Sequence, residues 1–124
     1  MKATIALVED NPDNRLLVQA ILEDRYSVVE YETGVAALEG FDDLVPDLVL
    51  LDISLPEMDG TEVLKRMRAD PRLSGVPVIA LTAHAMAGDR ERFLGAGFDE
   101  YLTKPIVDDS VLLEAIERGL QSAA

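Results

Sequence analysis

Apolar residues along this chain follow two alternating rhythms. Compact apolar runs fall at Thr4 to Val8, Tyr26 to Tyr31, Leu48 to Leu51, Val76 to Leu81 and Phe98 to Thr103. Their length and richness in branched side chains predict strands. Between and after them, apolar residues recur at three- and four-residue intervals. That spacing predicts helices over Pro12 to Asp24, Gly34 to Asp43, Gly60 to Arg68, Ala87 to Ala96 and Asp108 to Leu120. Strands that alternate with helices throughout predict a parallel sheet covered by helices on both faces, an α/β doubly wound arrangement. Strands one, three and four are almost continuously apolar, which fits burial on both faces. Strand two, YSVVEYE, alternates more and belongs nearer an edge.

Local chemistry punctuates the pattern. Asn11-Pro12 is a helix start, with Asn as N-cap and Pro at the first helical position, where no N–H is needed. Gly97 after Ala96 offers a left-handed cap to the fourth helix. The segment from Asp70 to Pro77 reads as a loop entering a strand. On the first helix, Leu17, Val18, Ile21 and Leu22 share one face, which is assigned to the core. Leu16 and Ala20 lie among Asp13, Gln19, Glu23 and Asp24 on the other side. They form a candidate docking spot for a partner's helical hairpin. Repeats and linkers are lacking, so residues 1–124 are expected to be one domain.

Composition narrows the chemistry. The chain has no cysteine, which removes disulfides, thiolate metal sites and thiol catalysis and fits a cytoplasmic setting. The N-terminus does not read as a signal peptide, and no apolar run approaches the ~20 residues that span a bilayer. Asp and Glu number 24 against 11 Lys and Arg, a net charge of −13. That excess disfavours nucleic acid and anionic lipid as direct partners and favours proteins with basic surfaces. It also raises the question whether some of the acids converge on a cation.

The ends of the strands answer it. Strand three closes on Asp52 directly after Leu48 to Leu51, where a neutral residue would cost less; an ionised carboxylate there needs water, a cation or a chemical task. In an open α/β sheet, ligands bind outside the C-terminal strand ends. Those ends carry Glu9 and Asp10 (strand one), Asp52 (three), Thr82 (four) and Lys104 (five). Three acids together repel, raising at least one pKa unless a cation holds them ionised. Oxygen donors without Cys or His favour a hard ion, Mg²⁺ or Mn²⁺, which leaves room for a phosphoryl group. Lys104 then serves as a point charge and Thr82 as a hydroxyl donor to that group. No glycine-rich phosphate cradle follows strand one, which argues against a bound nucleotide. A carboxylate beside metal and phosphoryl group is a candidate nucleophile, and Asp52 is placed to be phosphorylated.

Val8-Glu9-Asp10-Asn11, Asp52 followed by Leu55-Pro56 and Met58-Asp59-Gly60, Leu81-Thr82-Ala83, Tyr101 and Thr103-Lys104-Pro105 stand in this order at the strand ends. In this the sequence resembles a response-regulator receiver domain from Ala3 to about Leu120; its end soon after the fifth helix resembles the single-domain regulators of the chemotaxis and cell-cycle type, and an excised receiver would look the same. The resemblance implies a flavodoxin-like (βα)5 fold with strand order 2-1-3-4-5 and no output domain. It implies that Asp52 accepts a phosphoryl group from a phosphohistidine on a sensor histidine kinase or a histidine phosphotransfer protein. Asp10, Asp52 and the Ser54 backbone carbonyl would bind Mg²⁺ directly, and Glu9 through water. Thr82 and Tyr101 would form a switch pair, the Lys104-Pro105 bond would be cis, and the fourth helix, fifth strand and fifth helix would meet a downstream protein partner. Ser54 and His84, two residues after Asp52 and Thr82, would tune the phosphoryl lifetime. The implied state is a monomer or a phosphorylation-dependent dimer.

Two other readings compete with this switch. A Mg²⁺-dependent aspartyl phosphohydrolase usually has a second acid two residues after the nucleophile, where this chain has Ser54, and a cap domain. A pure interaction module with a degenerate site would lack one or more of Glu9, Asp10, Asp52, Thr82 and Lys104. All five are present. His84 is a poor candidate for a phosphorylated histidine, because no second phosphotransfer domain accompanies it.

Overall fold

The computed structural model describes residues 2–55, 57–83, 88–104 and 108–123. Five strands alternate with five helices: β1 Thr4–Val8, α1 Pro12–Leu22, β2 Ser27–Tyr31, α2 Gly34–Asp43, β3 Leu48–Asp52, α3 Gly60–Ala69, β4 Val78–Thr82, α4 Asp89–Ala96, β5 Glu100–Thr103 and α5 Asp109–Ala123. All four strand pairings are parallel, in the order β2-β1-β3-β4-β5. This is the doubly wound sheet expected from the sequence, with YSVVEYE at an edge.

The two-residue alternation of strand side chains divides the core. Ala6, Val8, Val49, Leu51, Val78 and Ala80 face α2, α3 and α4, where Phe41, Val63, Leu64, Met67 and Phe93 meet them. Ile5, Leu7, Leu48, Leu50, Ile79 and Leu81 face α1 and α5 through Val18, Leu22, Leu112, Ala115 and Ile116. Each fully buried Leu or Ile contributes ~1.5–3 kcal/mol of transfer free energy. Every residue of β3 and β4 is buried, so the middle of the sheet is rigid by packing on both faces.

Several boundaries move. Asp52 and Thr82 are the last residues of their strands, not the first beyond them. Val76 and Pro77 precede β4, because the Val76 N–H closes a turn onto the Leu73 carbonyl. β5 begins at Glu100; Phe98 is spent on the end of α4, its N–H donating to the Phe93 carbonyl beyond a left-handed Gly97 (φ 116°). The predicted start of the fourth helix at Ala87 lies outside the described residues. Leu17 is the one assigned core residue of α1 that lies outside the core. It is 40 % exposed. Its place on the helix is as periodicity requires, but here α1 lies over the cleft at the strand ends, where no sheet remains to cover it. Leu17 instead walls a small recess with Glu9, Asn14, Val18, Leu81 and Lys104.

Candidate functional site at the strand ends

The C-terminal ends of β1, β3, β4 and β5 lie side by side because the strands are parallel and in register. Leu81 pairs with Asp52, and Thr103 with Thr82, so the next residue along β5 brings Lys104 to the end of the sheet. The Lys104 N–H donates to the Thr82 carbonyl at 2.7 Å, which fixes the lysine backbone against β4. Its ammonium reaches Glu9 Oε1 at 3.0 Å and Asp52 Oδ2 at 3.2 Å. The side chains of Glu9 and Asp52 are almost wholly buried, and Asp10 is exposed. One carboxylate oxygen from each of Glu9, Asp10 and Asp52 lies within 4.8 Å of the others.

Backbone donors hold the acids in place. The Ser54 N–H donates to Asp52 Oδ1 at 3.0 Å, and the Asn11 N–H to Glu9 Oε2 at 3.2 Å. Asn11 also caps α1, its Oδ1 accepting from Asp13 and Asn14 with Pro12 at the first helical position. Gly60 matters because α3 starts against the end of β3: a Cβ there would meet the Asp52 carbonyl oxygen at 2.6 Å. The missing side chain at Gly60 therefore lets α3 start directly against the end of β3. Above the acids a cavity of about 490 Å³ opens to solvent, lined by Glu9, Asp10, Asn11, Asn14, Asp52, Ser54, Ala83 and Lys104.

Two buried carboxylates share one buried ammonium, so one acid must yield. Burial, reinforced by the contact with Asp52, pushes the Glu9 carboxyl up to about 7. Burial works against the Lys104 ammonium, but contact with Glu9 and Asp52 outweighs it, and its pKa lies above the ordinary lysine value. With its three carboxylates ionised and Lys104 as their ammonium partner, the arrangement is two positive charges short. Three clustered carboxylates without Cys or His suit a hard divalent cation with oxygen ligands.

The other sequence candidates are distributed around this centre. Thr82 is 4 % exposed at the end of β4, one position past the partner of Asp52. Tyr101 on β5 is half-buried, its ring 5.8 Å from that of Phe93 on α4 and tilted by 39°. Ser54 is exposed on the cavity rim. Leu16 (70 % exposed) and Ala20 lie on the outer side of α1. His84 and the Lys104-Pro105 bond lie outside the described residues. Asn14 went unnoticed in the sequence, although its spacing of three from Asn11 puts it on the first turn of a helix that starts at the site.

Comparisons with known proteins identify the family. The chain belongs to the response regulator receiver domain family, whose model matches residues 5–117. It is 46 % identical over 106 residues to the sensor protein GacS of Pseudomonas syringae pv. syringae, a match that covers 82 % of this chain and 12 % of that protein. It thus spans only a small part of such sensor kinases. It is 41 % identical over 107 residues to the polar-differentiation response regulator DivK of Brucella ovis, covering 86 % of this chain and 87 % of that one. Among solved structures, the receiver domain of sensor histidine kinase PA1611 from Pseudomonas aeruginosa PAO1 matches with a TM-score of 0.88 and 36 % identity, over 98 % of this chain and 99 % of that one. That structure holds a magnesium ion coordinated in its active-site cleft. The protein is a receiver domain of two-component signalling.

Proposed function

We propose that the chain is a phosphoacceptor switch in which Asp52 takes a phosphoryl group from a phosphohistidine on a sensor histidine kinase or a histidine phosphotransfer protein. The observation that carries this reading is the Asp52 carboxylate: nearly buried, bordering an open cavity, with the Lys104 ammonium 3.2 Å from Oδ2. An O–P bond forms at Asp52 as the N–P bond of the donor breaks, and the departing imidazole nitrogen takes up a proton. Lys104 supplies positive charge to the phosphoryl oxygens, while the Ser54 N–H keeps the carboxylate aimed into the cavity. Asp10, Asp52 and the Ser54 carbonyl would hold Mg²⁺ or Mn²⁺, with Glu9 acting through water. When bound, that ion neutralises charge on the transferred group.

Thr82 is the hydroxyl that meets the phosphoryl oxygen, and Tyr101 follows its movement. The contact of Tyr101 with Phe93 supports α4, β5 and α5 as the face that meets a downstream protein. Ser54 and His84 set the phosphoryl lifetime. Leu16 and Ala20 form the docking spot for the donor's helices. Return to the resting state is by slow self-hydrolysis, so this is a switch and not a turnover enzyme for an external substrate. The receiver domain acts in the cytoplasm, as a monomer or a phosphorylation-dependent dimer. The net charge of −13 argues against direct nucleic-acid binding, and no helix among the described residues is long and apolar enough to cross a membrane.

Intact-mass spectrometry after incubation with acetyl phosphate, with and without Mg²⁺, tests the central claim. The expected result is one phosphoryl adduct that needs Mg²⁺ and is absent in Asp52→Asn. A folded, Mg²⁺-supplied wild type without an adduct, or an adduct retained in Asp52→Asn, would overturn it.

A further inference from the structure

The peptide that joins the two acids of β1's end is held by a residue outside the cavity. Arg15 sits one turn into α1, and its guanidinium turns back toward the helix start, as long helical side chains do. Its Nη1 donates to the Glu9 carbonyl oxygen at 2.8 Å. Its other nitrogens meet two acids at the C-terminal end of β2: Nη2 donates to Glu32 Oε1 at 3.3 Å, and Nε lies 3.4 Å from Glu30 Oε1. The Arg15 side chain is only 15 % exposed.

This contact has a specific place in the site. The Glu9 N–H donates to the Tyr31 carbonyl at 3.0 Å, the last bond of that edge of the ladder. Beyond it the chain leaves the sheet, and the carbonyl of the buried Glu9 receives the Arg15 guanidinium. That carbonyl belongs to the Glu9–Asp10 peptide. The orientation of this plane sets where the exposed Asp10 carboxylate lies relative to the fixed pair of Glu9 and Asp52. A guanidinium alone would also place a charge hostile to a cation behind the site. Glu30 and Glu32 neutralise it while anchoring it.

We infer that Arg15 is a positioning residue for divalent-cation binding: by clamping the Glu9–Asp10 peptide to the end of β2, it holds Asp10 in reach of Glu9 and Asp52. This rests on the metal-binding reading proposed above. Loss of outer-shell partners of metal ligands typically weakens binding ~10–100-fold.

The test uses the full chain with Arg15→Met, which keeps the bulk and removes every donor, and Arg15→Lys, which keeps the charge but cannot hold the carbonyl and both glutamates. Mg²⁺ affinity is measured by calorimetry without a phosphodonor, and acetyl phosphate labelling is followed against Mg²⁺ concentration. Arg15→Met should raise the Mg²⁺ Kd about tenfold, and Arg15→Lys by a smaller factor. Labelling at saturating Mg²⁺ should stay within about twofold of wild type, as expected when binding and not chemistry is lost. A merely structural role would lower the unfolding temperature and leave the Kd of the folded protein unchanged. An unchanged Kd in folded Arg15→Met overturns the inference. If Arg15→Met does not fold, an unchanged Kd in Arg15→Lys overturns it. Wild type that binds no Mg²⁺ would instead sink the metal-site reading itself.

Discussion

Asp59 shows how much a single side chain near the site does besides chemistry. It is the N-cap of α3, its Oδ1 accepting from the Glu62 N–H at 3.0 Å and from the Thr61 hydroxyl at 2.6 Å. These bonds, the Thr61 hydroxyl foremost, hold its carboxyl below the usual value of 3.8. A carboxyl whose pKa is lowered by folding adds stability above its unfolded pKa and loses it as pH falls through the folded one. Asp59→Ala should therefore cost about 1 kcal/mol near neutral pH, the usual worth of such a cap. The gap between wild type and variant should shrink as pH falls below about 4. Urea denaturation at pH 7 and pH 3 checks this, and a gap that does not shrink would contradict the capping role. Asp52 caps no helix, and its local bond from the Ser54 N–H needs only a side-chain carbonyl oxygen, so the buried charge at a strand end stood out as chemistry.

At the scale of elements, two arginines close in sequence separate what binds the fold from what decorates it. Arg68, on the last turn of α3, donates to the carbonyls of Ser74, Val76 and Gly97 and to Asp99 Oδ2, all at 2.7–3.1 Å. Asp99 in turn accepts the Val78 N–H at 2.8 Å. One guanidinium thus ties the end of α3 to the entrance of β4 and to the loop leaving α4, at the pole opposite the acids. Arg72 makes ion pairs with Asp42 and Asp70, but on an exposed surface where water and salt compete. Arg68→Met should destabilise by about 1–3 kcal/mol, because four acceptors, the part-buried Val76 carbonyl among them, lose one charged donor. Arg72→Ala should be close to neutral. Comparable losses in the two variants, measured by chemical denaturation, would refute this ranking.

For the whole molecule, the fold was legible because alternating buried runs and amphipathic helices leave a doubly wound sheet as the economical solution. The site was legible because parallel strands carry their last residues to one edge, so Glu9, Asp10, Asp52 and Lys104 could be placed together from their positions alone. What stayed hidden depends on where elements stop covering one another. Periodicity puts Leu17 on the face of Val18 and cannot say that the sheet ends beneath it. Arg15 reads as an ordinary helix charge until the Glu9 carbonyl is seen to leave the ladder. The same compactness makes the site a liability without a cation, since a net charge of −13 surrounds two buried acids and one lysine. Glu9 holds its proton more tightly folded, to about pH 7, than at its ordinary value of 4.5. Its contribution to stability is therefore full at low pH and is lost as pH rises from about 4.5 toward 7. Metal-free protein should lose midpoint temperature between pH 5 and pH 8. On the proposed metal site, Mg²⁺ would bind only the folded arrangement and compete with that proton, so it should restore more at pH 8 than at pH 5. Thermal unfolding at matched ionic strength separates this from general screening. Glu9→Gln has no proton to lose at this position and should flatten the metal-free pH trend. A Mg²⁺ shift that is the same at both pH values would mean that the ion is not held by these carboxylates.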